Sequence, residues 1–86
     1  MPAESLSMYS ELLNSPGELY LGSDRETALA QGARCFRSAA KAVAFAVEHA
    51  APVSLRGAML RVGDHTFERH QIVQLHQILT KARAVH

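Results

Sequence analysis

Ser23 to Ala51 reads SDRETALAQGARCFRSAAKAVAFAVEHAA, and whether this stretch is one helix or is broken near Gly32 decides the fold. Its start carries a capping box, Ser23-Asp24-Arg25-Glu26: the Ser23 hydroxyl accepts from the Glu26 amide while the Glu26 carboxylate reaches back. Beyond it, Leu29, Ala33, Phe36, Ala40, Val43 and Val47 are spaced 4, 3, 4, 3 and 4 residues apart. At about 100° per residue this keeps all six within a fan of about 80°, the signature of a buried helical stripe. Gln31, Arg34, Arg37, Ser38, Lys41, Glu48 and His49 fall on the opposite side, and Pro52 ends the helix at or before Ala51. The preferred reading is therefore one long amphipathic helix. Gly32 and Ser38 supply the alternative. Glycine costs about 1 kcal/mol relative to alanine inside a helix. Serine is a favoured N-cap for a shorter helix, and a start at Ser38 leaves Gly32 to Arg37 extended.

A third flank of the long helix holds Ala28, Cys35, Ala39, Ala42 and Phe45, small side chains interrupted by one ring. They permit close approach of another element. Packing within the chain is the first expectation, and a protein interface, such as the seam of a homodimer, is the second.

On the amino-terminal side, residues 1 to 24 contain Glu4, Glu11, Glu18 and Asp24 and no Lys or Arg. Residues 25 to 86 hold nine basic and four acidic side chains, so a chain of net charge +1 divides into an acidic arm and a +5 remainder. Residues 1–22 read as that arm and residues 23–86 as a single small domain. Within the arm, a short helix is expected around Leu6 to Leu13, stopped by Asn14, Ser15, Pro16 and Gly17, while Glu18 to Leu21 is too short to classify. Screening confines such charge effects to about 8 Å, so only a docked arm gains from the asymmetry.

On the carboxy-terminal side, Ala58 to Val62 and His65 to Arg69 form a β-hairpin with Gly63-Asp64 as its two-residue loop, glycine at the first position suiting a type II′ turn. Register then pairs Val62 with His65, Arg61 with Thr66, Leu60 with Phe67 and Met59 with Glu68. Leu60 and Phe67 share the core face, and Met59, Arg61, Thr66 and Glu68 the wetter one. The competing reading is a helix-turn-helix with Gly63 in the turn, but its template fits poorly, with Met59 where a small residue belongs and Arg69 at a buried position. The last element is an amphipathic helix with Ile72, Leu75, Ile78, Leu79, Ala82 and Val85 on one arc and His70, Gln74, Gln77 and Lys81 facing away. The fold class is α+β: long helix, hairpin, C-terminal helix.

Chemistry is sparse. Five histidines invite a metal hypothesis, yet His70 and His76 lie about 120° apart on one helix, and no Cys or Glu stands at zinc-site spacing beside them. Cys35 and His49, read on one helix, are separated by about 21 Å along its axis and form no catalytic pair. Cys35 reads as a packed small hydrophobe, since free cysteine favours burial. Asp64 beside Gly63 reads as turn chemistry. No phosphate-cradling glycine loop or carboxylate pair is present, so no catalytic residue, cofactor or metal ligand is assigned and an enzyme is not expected. Arg34, Arg37 and Lys41 stand at i, i+3 and i+7, a candidate nucleic-acid contact that Arg61, Arg69 and Lys81 could extend; a solvated helix face is the preferred account of them, and no interleaved aromatics accompany them.

Composition bounds the rest. Of 86 residues, 48% are hydrophobic, but 14 of these are alanine and only 24 are Leu, Ile, Val, Phe or Met, so the core is thin and association with a second chain is an attractive way to bury more. One cysteine excludes an internal disulfide, which points to a reducing compartment. No apolar run approaches the roughly 20 residues that span a bilayer, and no positively charged leader precedes an apolar segment. A cytoplasmic protein with no membrane partner is expected.

The segment Ser38-Ala-Ala-Lys-Ala-Val-Ala-Phe-Ala-Val-Glu48, followed by Leu55-Arg-Gly-Ala-Met-Leu-Arg-Val62 and Ile72-Val-Gln-Leu-His76, resembles the ordering of short uncharacterised bacterial proteins over about residues 36 to 79. That resemblance implies helix, hairpin, helix and carries no activity or site residue with it. The functional expectation is a small interaction or regulatory module acting on itself or a protein partner, with a nucleic-acid-binding module as the alternative.

Overall fold

The computed structural model describes residues 11–84, with side chains through Lys81. Residues 11–14 are helical, and the rest of the expected Leu6 to Leu13 helix lies outside the described residues. There follow β1 (Gly17–Tyr20), α1 (Arg25–Gln31), β2 (Arg34–Phe36), α2 (Ala39–Glu48), a 3₁₀ turn (Pro52–Leu55), β3 (Met59–Val62), β4 (His65–Glu68) and α3 (Arg69–Ala84). The four strands form one antiparallel sheet in the order β2-β1-β3-β4. The fold is mixed α+β with a C-terminal helix.

The long helix from Ser23 to Ala51 is not formed. Gly32 adopts φ +86°, a conformation L side chains rarely accept, and its N–H bonds the Leu29 carbonyl to close α1. Ser38 then caps α2, its hydroxyl accepting from the Lys41 amide at 3.3 Å. Between these signals Arg34–Phe36 is extended and pairs with β1, setting Phe36 beside Gly17, Cys35 beside Glu18 and Arg34 beside Leu19. The physical reason is tertiary: β1 needs a partner on each side, and Gly32 and Ser38 let the chain supply one at little cost. The stripe accordingly splits. Val43 is buried in α2, whereas Leu29 is 54% exposed.

The first helix also starts one residue later than the capping box implies. Asp24, not Ser23, is the N-cap, accepting from the Thr27 amide at 2.7 Å. Within residues 1–22, Gly17–Tyr20 is an inner strand with β2 on one side and β3 on the other.

The hairpin has the expected pairs, Val62 with His65, Arg61 with Thr66, Leu60 with Phe67 and Met59 with Glu68, and Gly63 takes φ +59° in its loop. Strand geometry at Met59–Val62 and His65–Glu68 removes the helix-turn-helix alternative. Alternation places Leu19, Leu60 and Val62 on one face, where α2 and α3 pack on the sheet and on each other. Ala39, Ala42, Val43 and Ala46 from α2 and Ile72 and Leu75 from α3 complete the core, joined by Leu13. Glu48 at the end of α2 meets His76 of α3 at 2.9 Å. The other face carries Cys35, Glu18, Arg61 and Thr66 in adjacent register, with Tyr20, Met59 and Glu68 as a second row.

Candidate functional site

The end of the sheet where β3 begins and β4 finishes gathers several basic side chains. The hairpin register brings Arg56, just before β3, to the same end as Arg69 and His70, the first residues of α3. Arg25 arrives from the start of α1. It is placed by a backbone clamp in which the Gly22 amide donates to the Ser54 carbonyl and the Gly57 amide to the Gly22 carbonyl, both at 2.9 Å. Together with Met59 and Glu68 these residues line a solvent-open cleft of about 730 Å³, within the size range of ligand sites. Three arginines, one histidine and a single carboxylate, that of Glu68, are among its lining residues.

That carboxylate is engaged. Glu68 accepts from Arg25 at 2.7 Å, in a pair whose side chains are 62% and 52% exposed. A pair so solvated contributes no more than about 1 kcal/mol to stability. Arg56, Arg69 and His70 make no side-chain hydrogen bond or ion pair among the described residues.

The start of α3 adds to the field. Its first turn holds Arg69 and His70 and no acidic residue, although the positive pole of a helix favours carboxylates there. Glu68 stands just before the helix, but its side chain goes to Arg25, and its backbone makes the return arm of a capping box, Gln71 Oε1 accepting from the Glu68 amide at 2.9 Å. In α1, by contrast, Asp24 closes the N-terminus and Glu26 sits in the first turn. The Thr27 amide, followed by the Thr27 hydroxyl, holds the Asp24 carboxyl below its ordinary value. The start of α1 is matched by acidic side chains, whereas the first turn of α3 carries basic ones.

The residues singled out from the sequence are dispersed. Ala28 is buried in α1, Ala39 and Ala42 are buried against the sheet, Phe45 is half-buried 5.6 Å from the Phe36 ring, and Cys35 is exposed on β2. The five do not lie on a single face, because the helix that aligned them is broken, and the alanines are covered by the chain itself. Arg34 lies on β2 with its guanidinium 4.9 Å from the centre of the Phe45 ring, Arg37 stands in the connection, and Lys41 is in the first turn of α2. All three are exposed, but they do not form the single helical stripe their spacing suggested. Cys35, expected to be packed, faces solvent because β2 is an edge strand and the residue points away from the helices.

The sequence reading did not single out Arg56, and it weighed His70 only as a metal ligand, although the hairpin register already implies their proximity. Among the described residues no three His, Cys, Asp or Glu side chains assemble as a metal-ligand set. No described helix is long and apolar enough to cross a membrane. No protein-family model, curated protein or solved structure matches this chain.

Proposed function

We propose that this protein is a non-catalytic binding module that captures an anionic group of its partner in the cleft between Arg25, Arg56, Arg69 and His70. The observation that carries the reading is the convergence of these four side chains, from three separate segments, on one concavity with a single displaceable carboxylate. Buried or enclosed cations are costly without partners, whereas an open basic concavity is solvated until an anion displaces water and gains charge-assisted hydrogen bonds. A protein partner fits better than a nucleic acid: no Phe, Tyr or Trp ring lines the cleft for a base to stack on, and its cations are gathered in one concavity rather than strung along a groove. Fixed positioning by the Gly22 and Gly57 clamp supports recognition rather than chemistry, since no nucleophile accompanies the cations.

Fluorescence anisotropy with labelled polyglutamate and labelled polyphosphate at about 50 and 200 mM salt tests the proposal. Binding that weakens with salt, is lost in the R56A/R69A double variant and survives in R34A/R37A/K41A supports it. Absence of binding to both probes at low salt, or equal binding by the double variant, overturns it.

A further inference from the structure

We infer that the group this cleft accepts is a phosphomonoester dianion, with Glu68 as the internal occupant that the dianion displaces. The inference rests on the anion-binding reading above and narrows it to one chemistry.

Glu68 already gives Arg25 a carboxylate oxygen at 2.7 Å. A ligand carboxylate offers that guanidinium the same charge and the same acceptor geometry, so exchanging one for the other gains little. A phosphomonoester differs in kind. It brings nearly two negative charges at neutral pH and three strong acceptor oxygens, enough to engage Arg25 and, at the same time, side chains that Glu68 leaves unused. Those are Arg56 and Arg69, whose planar forks suit phosphate oxygens, and His70 beside them. The start of α3, which holds two basic residues and no acidic one in its first turn, completes a field better matched to a compact dianion than to a single negative charge. A phosphodiester carries one charge and two substituents, and within a long strand it is best served by a stripe of cations.

Phosphate on a protein side chain and phosphate on a small molecule share this chemistry. Calorimetric titration of the full chain with phenyl phosphate, methyl phenyl phosphate and benzoate separates the charge classes, and a phosphoserine peptide of neutral flanking sequence reports the source. Phenyl phosphate is expected to bind about tenfold or more tightly than the diester or benzoate. Removing the internal competitor with E68Q is expected to tighten phenyl phosphate binding by about threefold, and R56A to weaken it by about tenfold. In the wild-type protein, the side-chain Nε–H resonances of Arg25, Arg56 and Arg69 should shift on phenyl phosphate addition, a readout independent of any variant's folding. A peptide that binds more tightly than phenyl phosphate assigns the source to a protein partner, and equal affinity assigns it to a small phosphorylated ligand; both support the inference. Equal affinity for monoester and benzoate, shifts confined to Arg34 and Arg37, or weaker phosphate binding by E68Q overturns it. If polyglutamate binds at the cleft without a phosphate preference, only this inference fails; if no anion binds, the broader reading fails with it.

Discussion

Gly57 donates its backbone N–H to the Gly22 carbonyl at 2.9 Å, and the two glycines bring the start of α1 against the turn that precedes β3. The approach leaves no room for side chains. A Cβ on Gly22 would lie 2.7 Å from Ala28 Cα, and one on Gly57 would run into the Asp24 backbone. Neither position is one where a flexible side chain gives way, since backbone blocks both. Gly57→Ala is therefore expected to destabilise the fold by about 3 kcal/mol, at the upper end of overpacking effects, and to weaken anion binding by separating Arg25 from Arg56. Urea denaturation of the variant checks the first part. An unchanged midpoint would show that the clamp is loose.

Asp24 anchors the same junction from the other side. Its carboxylate accepts from the Thr27 amide at 2.7 Å, and that bond lowers its affinity for protons. A folded-state pKa below the unfolded one contributes stability that is fully present above about pH 3.8, the ordinary aspartate value, and is lost as pH falls through the folded value. Asp24→Ala should lower the melting temperature by a few degrees at neutral pH, and Asp24→Asn, which keeps the acceptor, by less. The difference between wild type and the Asn variant should vanish in strong acid. A constant difference from pH 7 to pH 2 would mean that the cap is not charged.

Much of this architecture is written in short-range chemistry. Gly63-Asp64 and the alternation around it specify the hairpin to the residue pair, because a two-residue loop leaves one register that turns both Leu60 and Phe67 toward the core. The arc of Ile72, Leu75, Ile78 and Leu79 specifies the packed face of α3 for the same reason. The middle of the chain misleads because 4-and-3 spacing from Leu29 to Val47 fits a helix, while the decision lies with Gly17–Tyr20, a strand too short to announce itself and too central to go unpaired. Gly32 and Ser38 mark the break, but propensity alone does not choose between it and a tolerated glycine. The cleft was half legible. Register places Arg56 with Arg69 and His70, whereas Arg25 joins them only through the path of α1.

Leu60 tests how thin the core is. It is fully buried at the centre of β3, paired with Leu19 across β1 and with Phe67 across β4. Leu60→Ala removes a fully buried side chain of the core, and a loss of about 3 to 5 kcal/mol is expected. In a domain whose total stability is of order 5 to 15 kcal/mol, that change approaches the threshold for unfolding. Circular dichroism during urea titration measures it. A loss under about 1 kcal/mol would place Leu60 outside the core.

Cys35 separates the broken from the continuous helix in solution. On a continuous helix it lies along the flank of small residues, whereas on β2 it is exposed on the face away from α2 and α3. A thiol reagent should therefore modify one cysteine per chain in the native protein, at a rate within about tenfold of that in urea, since no opening step precedes the reaction. Cys35→Ser should change stability by no more than about 0.5 kcal/mol, as at other exposed positions. Reaction slowed by several orders of magnitude would mean that another surface covers β2. The open edge of that strand would then be the place to look for it, because β1 already occupies the other.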